Sequence, residues 1–218
     1  MSPEEIIQRR VARELHPGTL VNLGIGLPTG VSRFIRPEQE ILFQSENGIV
    51  GMGAPPPEGM DDEDLTDAGG HYVSAVPGAA TVDSTFSFGL IRGGHLDATV
   101  LGGLEVDEKG LLANWMVPGK MVPGMGGAMD LVSGARRVIV AMQHTARGKP
   151  KIVPACTLPL TATRRVTLII TDMAVIEPMD DGLVLRERAP GVEVQAILDA
   201  TSAKLIVPDF VPEMILAE

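Results

Sequence analysis

Two stretches decide the fold: Arg137–Met142, RVIVAM, and Val166–Thr171, VTLIIT. Neither alternates apolar with polar residues, as a strand with one wet face would. Both are near-continuously apolar, the pattern of strands buried on two faces in a parallel sheet covered by helices. Shorter runs of the same kind stand at 19–23 (TLVNL), 41–44 (ILFQ), 97–103 (DATVLGG), 151–154 (KIVP) and 204–207 (KLIV). Residues 182–187 (GLVLRE) read as a late edge strand.

Helix signals fall between these runs. Ser2 is a cap, Pro3 suits a first helical position and Glu5 completes a capping box. Ile7, Val11 and Leu15 then recur at helical spacing until His16-Pro17-Gly18 stops the helix. A short helix is expected near Val31–Ile35, a capped one over 83–94 and another over 192–201. Residues 104–114 read as a hairpin turning at Asp107–Gly110. Residues 51–80 and 117–130, rich in Gly and Pro, read as ordered excursions, and the acidic run 61–64 as a solvated loop. Strands alternating with helices predict a mostly parallel α/β sheet with a small antiparallel hairpin region, in one domain spanning residues 1–218.

Bulk properties narrow the function. A formal charge of −10 argues against a nucleic-acid footprint, which needs clustered Lys and Arg. No run reaches transmembrane length, and the glutamates of MSPEEIIQRR fit neither a secretory signal nor a transit peptide. Cys156 is the only cysteine, which excludes an intrachain disulfide, and the four histidines are widely spaced. A cytoplasmic protein without a metal site is expected.

Three segments are candidates for chemistry. Gly24-Ile25-Gly26-Leu27-Pro28-Thr29-Gly30 follows a strand, and its glycines can aim backbone N–H groups at an anion or a polarised carbonyl. The spacing matches neither a dinucleotide fingerprint nor a P-loop, and taken alone it reads as a tight structural turn. Asn22, polar within an apolar strand, is either outward-facing or a donor at the sheet's carboxyl edge. Residues 117–130, VPGKMVPGMGGAMD, offer backbone donors around Gly126-Gly127 and one cation, Lys120, or else form a glycine-rich connection packed on the sheet. Glu46 stands in QSENGIVGMG (44–53), just past the run Ile41-Leu42-Phe43. Open α/β sheets place ligands at strand carboxyl ends, and a carboxylate there serves as base, nucleophile or anchor, or merely meets water. Cys156 reads as a small packing residue.

FQSENGIVGMG resembles the catalytic signature of the β subunit of family I coenzyme A transferases, the 3-oxoacid group that contains succinyl-CoA:3-ketoacid CoA-transferase. VNLGIGLPT, GGHLDATVLGGLEVDEKGLLANW and PGKMVPGMGGAMDLVSGARRVIVAMQHT are similar to other stretches of that subunit, and the likeness runs through CTLPLT and ITDMAVIEP. The resemblance implies a three-layer α/β/α fold shared with some sugar-phosphate isomerases. It implies Glu46 as the nucleophile that carries CoA as a glutamyl thioester, with CoA as substrate and covalent intermediate and no tightly bound cofactor. Asn22, Gly127 and Ala128 match the family's donors around the acyl group. Gly24 and Gly26 match glycines that let substrate approach, and Lys120 is a candidate CoA contact. An α subunit is the implied partner, in a heterodimer or heterotetramer.

Succinyl-CoA with acetoacetate is the leading substrate pair. A 3-oxoadipate transferase, or an acetate- or butyrate-acetoacetate transferase, is the alternative within the class. Outside it stand a non-catalytic acyl-CoA or sugar-phosphate sensor and an acyl-CoA hydrolase.

Overall fold

The computed structural model describes residues 1–119 and 124–218. Helix α1 (Pro3–Ala12) opens the chain, with the Ser2 hydroxyl accepting from the Glu5 amide. The Glu5 carboxylate pairs with Arg9 one turn ahead instead of returning to the cap, so only half of the expected capping box forms. Strand β1 (Leu20–Leu23) follows. The turn-rich segment after it is itself helical: a 3-10 helix spans Leu27–Phe34, beginning earlier than the helix expected near Val31, and a second covers Pro37–Gln39.

Strands β2 (Leu42–Ser45), β3 (Ile49–Met52) and β4 (Ala75–Thr81) come next. Half of β3 and nearly all of β4 lie within the stretch read as an excursion. In β4 most side chains are exposed and it sits at one end of the sheet, so it carries little apolar pattern. Helix α2 (Ser84–Arg92), capped by Asp83, leads to β5 (Ala98–Leu101) and the hairpin β6 (Glu105–Asp107) and β7 (Leu112–Ala113). The Asp107 carboxylate closes that turn by accepting from the Lys109 and Leu111 amides.

The remaining elements are α3 (Ala128–Gly134), β8 (Arg137–Ala141), β9 (Thr145–Ala146), β10 (Lys149–Pro150) and β11 (Ile152–Val153). Strands β12 (Leu168–Ile170), β13 (Ala174–Met179) and β14 (Gly182–Arg188), helix α4 (Val194–Asp199) and β15 (Leu205–Ile206) complete the chain.

Ten of these strands form one sheet in the order β15-β14-β13-β12-β8-β5-β1-β2-β3-β4. Its centre, β12-β8-β5-β1-β2, is parallel throughout. The pairs β12-β13, β13-β14, β2-β3 and β3-β4 are antiparallel, and β14-β15 is parallel. Two expectations change. Residues 151–154 do not join the main sheet: β11 pairs with β6 in a separate three-stranded sheet, its run cut short between Pro150 and Pro154. Strand β14 is interior rather than an edge, because β13 covers one side and β15 the other.

Nearly every residue of the central strands is buried, and successive side chains alternate between the two faces of the sheet. Val138 and Val140 of β8, with Ile169 of β12, pack on Ile91, Leu131 and Ile197 from α2, α3 and α4. Ile139, Ala141 and Ile170 pack on the opposite face against Ile7 and Val11 of α1 and Val31 of the first 3-10 helix. Helices on both faces thus make three layers, and the unbroken apolar runs are the record of it. Among the described residues, no helix is long and apolar enough to cross a membrane.

His144 lies just past β8 and is fully buried. Its ring is bracketed by the Thr171 hydroxyl at 2.9 Å from Nδ1 and the Thr201 hydroxyl at 2.8 Å from Nε2. Thr201 already donates to the Ile197 carbonyl, so it accepts from Nε2–H and leaves Nδ1 to accept from Thr171, whose hydroxyl lies nearer this nitrogen, at 2.9 Å, than the Ala174 carbonyl, at 3.2 Å. Both nitrogens of a neutral ring are satisfied. Burial pushes its pKa down to about 4, against a smaller upward pull from Asp172. A depressed histidine contributes nothing to pH dependence above about 6.5, where folded and unfolded chains are both neutral, and stability is lost as pH falls towards about 4. Between pH 7 and 4.5 the wild type should lose about 2–3 kcal/mol more than His144→Gln, measured by denaturant unfolding at each pH.

Candidate active site

The connection from β1 to β2 runs through the 3-10 helix on the α1 face, and the connection from β5 to β8 runs through α3 on the other face. Since β1 and β5 are neighbours, the chain parts at their carboxyl ends, where α/β sheets open a crevice. Gly24 to Gly26 leave β1 at this point, and Glu46 stands one residue past the neighbouring β2.

The Glu46 turn is tight because only Glu46, Asn47 and Gly48 join β2 to β3. The Gly48 amide donates to the Ser45 carbonyl, and its φ of +124° suits only glycine. A Cβ there would lie 2.0 Å from the Val82 carbonyl oxygen. Two contacts brace the turn from the 51–80 segment: Asn47 donates through Nδ2 to the Thr66 carbonyl at 2.7 Å, and the Ser45 hydroxyl accepts from the Ala68 amide at 2.9 Å. A register shift in the β2–β3 ladder between Phe43 and Gln44 accompanies the turn, as bulges commonly do where a strand re-aims side chains.

Glu46 is partly buried, and its Oε2 accepts from Asn22 Nδ2 at 3.2 Å. Asn22 therefore faces inward, not outward, and is fully buried. Gly127, the N-cap residue just before α3, comes to the same place from the other side of the crevice. A Cβ on it would be 3.4 Å from Glu46 Oε1 and 3.4 Å from the Phe88 ring, so the glycine leaves that carboxylate oxygen uncrowded. The structure thus gathers Glu46, Asn22 and Gly127. Ala128 is adjacent, but its amide donates to the Met125 carbonyl inside the loop. Gly24 bonds through its amide to the Val100 carbonyl, and a Cβ on it would meet that oxygen at 3.0 Å, so contact with β5 accounts for this glycine. Gly26 is exposed and has open space around it. Lys120 lies outside the described residues.

Sequence reading missed three side chains that surround Asn22. Thr99 of β5 and Gln44 of β2 sit beside it in register, and Ser87 of α2 lies beyond Gln44; all four are fully buried. Thr99 Oγ1 donates to Asn22 Oδ1 at 3.3 Å, Asn22 Nδ2 donates to Gln44 Oε1 at 2.9 Å, and Gln44 Nε2 donates to Ser87 Oγ at 2.8 Å. The available signal was a polar residue, Asn22, Gln44 or Thr99, one or two positions from the carboxyl end of each of three largely apolar strands. Outside this row, Lys151 donates to the Gly103 carbonyl just past β5, and burial pushes its pKa down to about 8.

Other reactive groups lie elsewhere or are quiet. Burial pushes the Cys156 thiol up to about 12, and its Sγ sits 3.4 Å from the Leu111 carbonyl, so it is a packing residue rather than a thiolate. A 620 Å³ cleft lies near the amino-terminal end of β8, lined by Arg10, Glu14, Arg137 and Glu187, whose charges pair with one another. Among the described residues, no three His, Cys, Asp or Glu side chains are grouped to hold a metal ion.

A partly buried carboxylate in a fixed turn, facing a neutral amide donor and a side-chain-free backbone, is equipped for attack on a carbonyl with little displacement of water. Comparison with known proteins agrees in kind. The sequence pattern of the coenzyme A transferase family matches residues 4–200. The chain is 52% identical over 219 residues to the beta subunit of acetate CoA-transferase from Haemophilus influenzae, covering 100% of this chain and 98% of that one. It is 48% identical over 201 residues to the corresponding subunit of succinyl-CoA:3-ketoacid coenzyme A transferase from Helicobacter pylori, covering 92% and 97%. Among solved structures it resembles the acyl-CoA transferase YdiF of Escherichia coli O157:H7 at 25% identity, with a TM-score of 0.79 to the apoenzyme and 0.76 to a thioester complex with CoA. The match takes in 98% of this chain but only 43% of the apoenzyme chain. The chain belongs to the coenzyme A transferase family and is an enzyme of its β-subunit type.

Proposed function

We propose that this chain, as one domain over residues 1–218, moves CoA from an acyl-CoA donor to a 3-oxoacid through a covalent thioester on Glu46. The carrying observation is the Glu46 carboxylate at the switch point of the sheet, 3.2 Å from the Asn22 amide and open towards Gly127. Glu46 Oε1 attacks the thioester carbonyl and CoA thiolate leaves, giving a mixed anhydride. The thiolate then attacks the Glu46 carbonyl carbon, the first carboxylic acid departs as its carboxylate, and a glutamyl-CoA thioester remains. A second carboxylate reverses both steps and leaves as its own acyl-CoA.

When the thiolate adds to the Glu46 carbonyl, Asn22 donates to the glutamyl oxygen that gains charge; when Glu46 adds to the thioester, the backbone at Gly127, beside Ala128, is the companion surface for the acyl oxygen that gains it. Gly26, exposed beside open space, belongs to the floor along which substrate approaches, and Lys120 is a candidate contact for CoA. The E. coli transferase solved as a thioester complex with CoA supports the covalent route. No tightly bound cofactor takes part.

We assign an α subunit as partner, in a heterodimer or heterotetramer. Both bacterial relatives are named as subunits, and the E. coli chain is more than twice as long as the part matched here. The cytoplasm is the proposed setting. Succinyl-CoA and acetoacetate are the leading pair, by likeness to the H. pylori protein. The second reading is an acetate transferase, favoured by the 52% identity to the H. influenzae protein.

Co-expression with the α subunit and competition assays decide between them. Succinyl-CoA with acetoacetate should give a kcat/KM on the order of 10-fold or more above acetyl-CoA with any short acid acceptor. The reverse ranking would replace the first reading by the second.

A further inference from the structure

We propose that Thr99 and Gln44 are positioning residues that hold the Asn22 amide with its N–H side towards Glu46; this rests on the reading of Glu46 as the nucleophile. Asn22 Nδ2 faces three oxygens: Gln44 Oε1 at 2.9 Å, the Gln44 backbone carbonyl at 3.2 Å and Glu46 Oε2 at 3.2 Å. Turned over, Asn22 would set its own carbonyl oxygen against all three. The backbone carbonyl and the carboxylate can only accept, so they fix the direction of the whole row. The hydroxyls of Thr99 and Ser87, at its two ends, adapt to that direction.

What the fixed acceptors do not supply is placement. Thr99 pulls on Oδ1 from β5 and Gln44 pulls on Nδ2 from β2, so the amide plane is held from both sides in a region closed to water. Sheet register puts the three residues side by side, so their alignment is inherited from the most rigid part of the fold. The Glu46 group is charged as a carboxylate, neutral as anhydride and as thioester, and charged again on its oxygen in the tetrahedral addition between those two. A donor that keeps its place while the acceptor changes costs no reorganisation at the moment of reaction. Neither Thr99 nor the Gln44 side chain is bonded to Glu46 itself; both act through Asn22.

Thr99→Val keeps the shape of the side chain and removes the hydroxyl. In the enzyme assembled with its α subunit, the rate of Glu46 thioester formation in a single turnover, per site able to form it, should fall on the order of 10- to 100-fold. KM for acyl-CoA should stay within about a factor of two, and Thr99→Ser should restore the rate. Gln44→Met, which removes the partner on the other side, should show the same split, so that a folding failure in one variant leaves the other as the test. Counting only competent sites separates this from a structural role, which would lower the number of sites and not the rate at each. Wild-type rates per site in Thr99→Val or Gln44→Met would overturn the positioning role alone. Absence of any Glu46 thioester in the wild type would overturn the reading of Glu46, and this inference with it.

Discussion

Glu46→Gln yields a folded chain that still pairs with its partner and transfers no CoA. The change swaps one carboxylate oxygen for NH2 at nearly constant shape, and the Asn22 amide can still donate to the oxygen that remains. The turn itself is held by backbone and by neighbours, through Gly48, Asn47 and Ser45, so none of its supports is touched. A neutral amide is a poor nucleophile towards a thioester, and no anhydride can form from it. Turnover should fall by on the order of 10⁴-fold or more, with stability changed by only about 0.5 kcal/mol. Steady-state transfer and denaturant unfolding of the same preparation measure both. Residual turnover within about 100-fold of wild type would remove Glu46 from the role.

The second large effect is at Asn22. Asn22→Ala removes the donor to Glu46 and should reduce kcat by on the order of 10²- to 10³-fold, the range found when one preorganised donor is deleted from a site that stabilises an oxyanion. The same change strands the Thr99 hydroxyl and the Gln44 carboxamide in a dry layer. Unsatisfied buried groups of this kind cost about 1–3 kcal/mol in folding. The two losses are separable, because the first appears per active site and the second in unfolding curves. A kcat within about threefold of wild type, once stability is allowed for, would show that Asn22 is only a structural member of the row.

The fold was legible where burial leaves a one-dimensional trace. Unbroken apolar runs at β8 and β12 announce two covered faces, and alternation of their residues between the two helical layers bears this out. Ser2, Asp83 and the Asp107 turn were legible because capping and turn chemistry act within four residues. What failed depended on distant partners. Strand β4 is exposed and patterned by nothing but its ladder to β3. Residues 151–154 look like any buried strand until the hairpin β6–β7 claims them.

The site divides in the same way. Glu46 was a candidate from its place after an apolar run, and family resemblance gave it a role. The row Thr99–Asn22–Gln44–Ser87 was out of reach, since it joins residues 77, 22 and 43 positions apart through sheet register and helix packing. Gly24 shows the converse: a glycine that resembled a ligand contact is accounted for by a neighbouring strand.

The central claim is that Glu46 carries CoA. Assembled enzyme is mixed with acyl-CoA without an acceptor, treated with sodium borohydride, digested and analysed by peptide mass. The account predicts that the peptide spanning Ser45–Gly48 carries the glutamate reduced to its alcohol, and that Glu46→Gln carries no such change. An unmodified Glu46 peptide from enzyme that is active under the same conditions would contradict it.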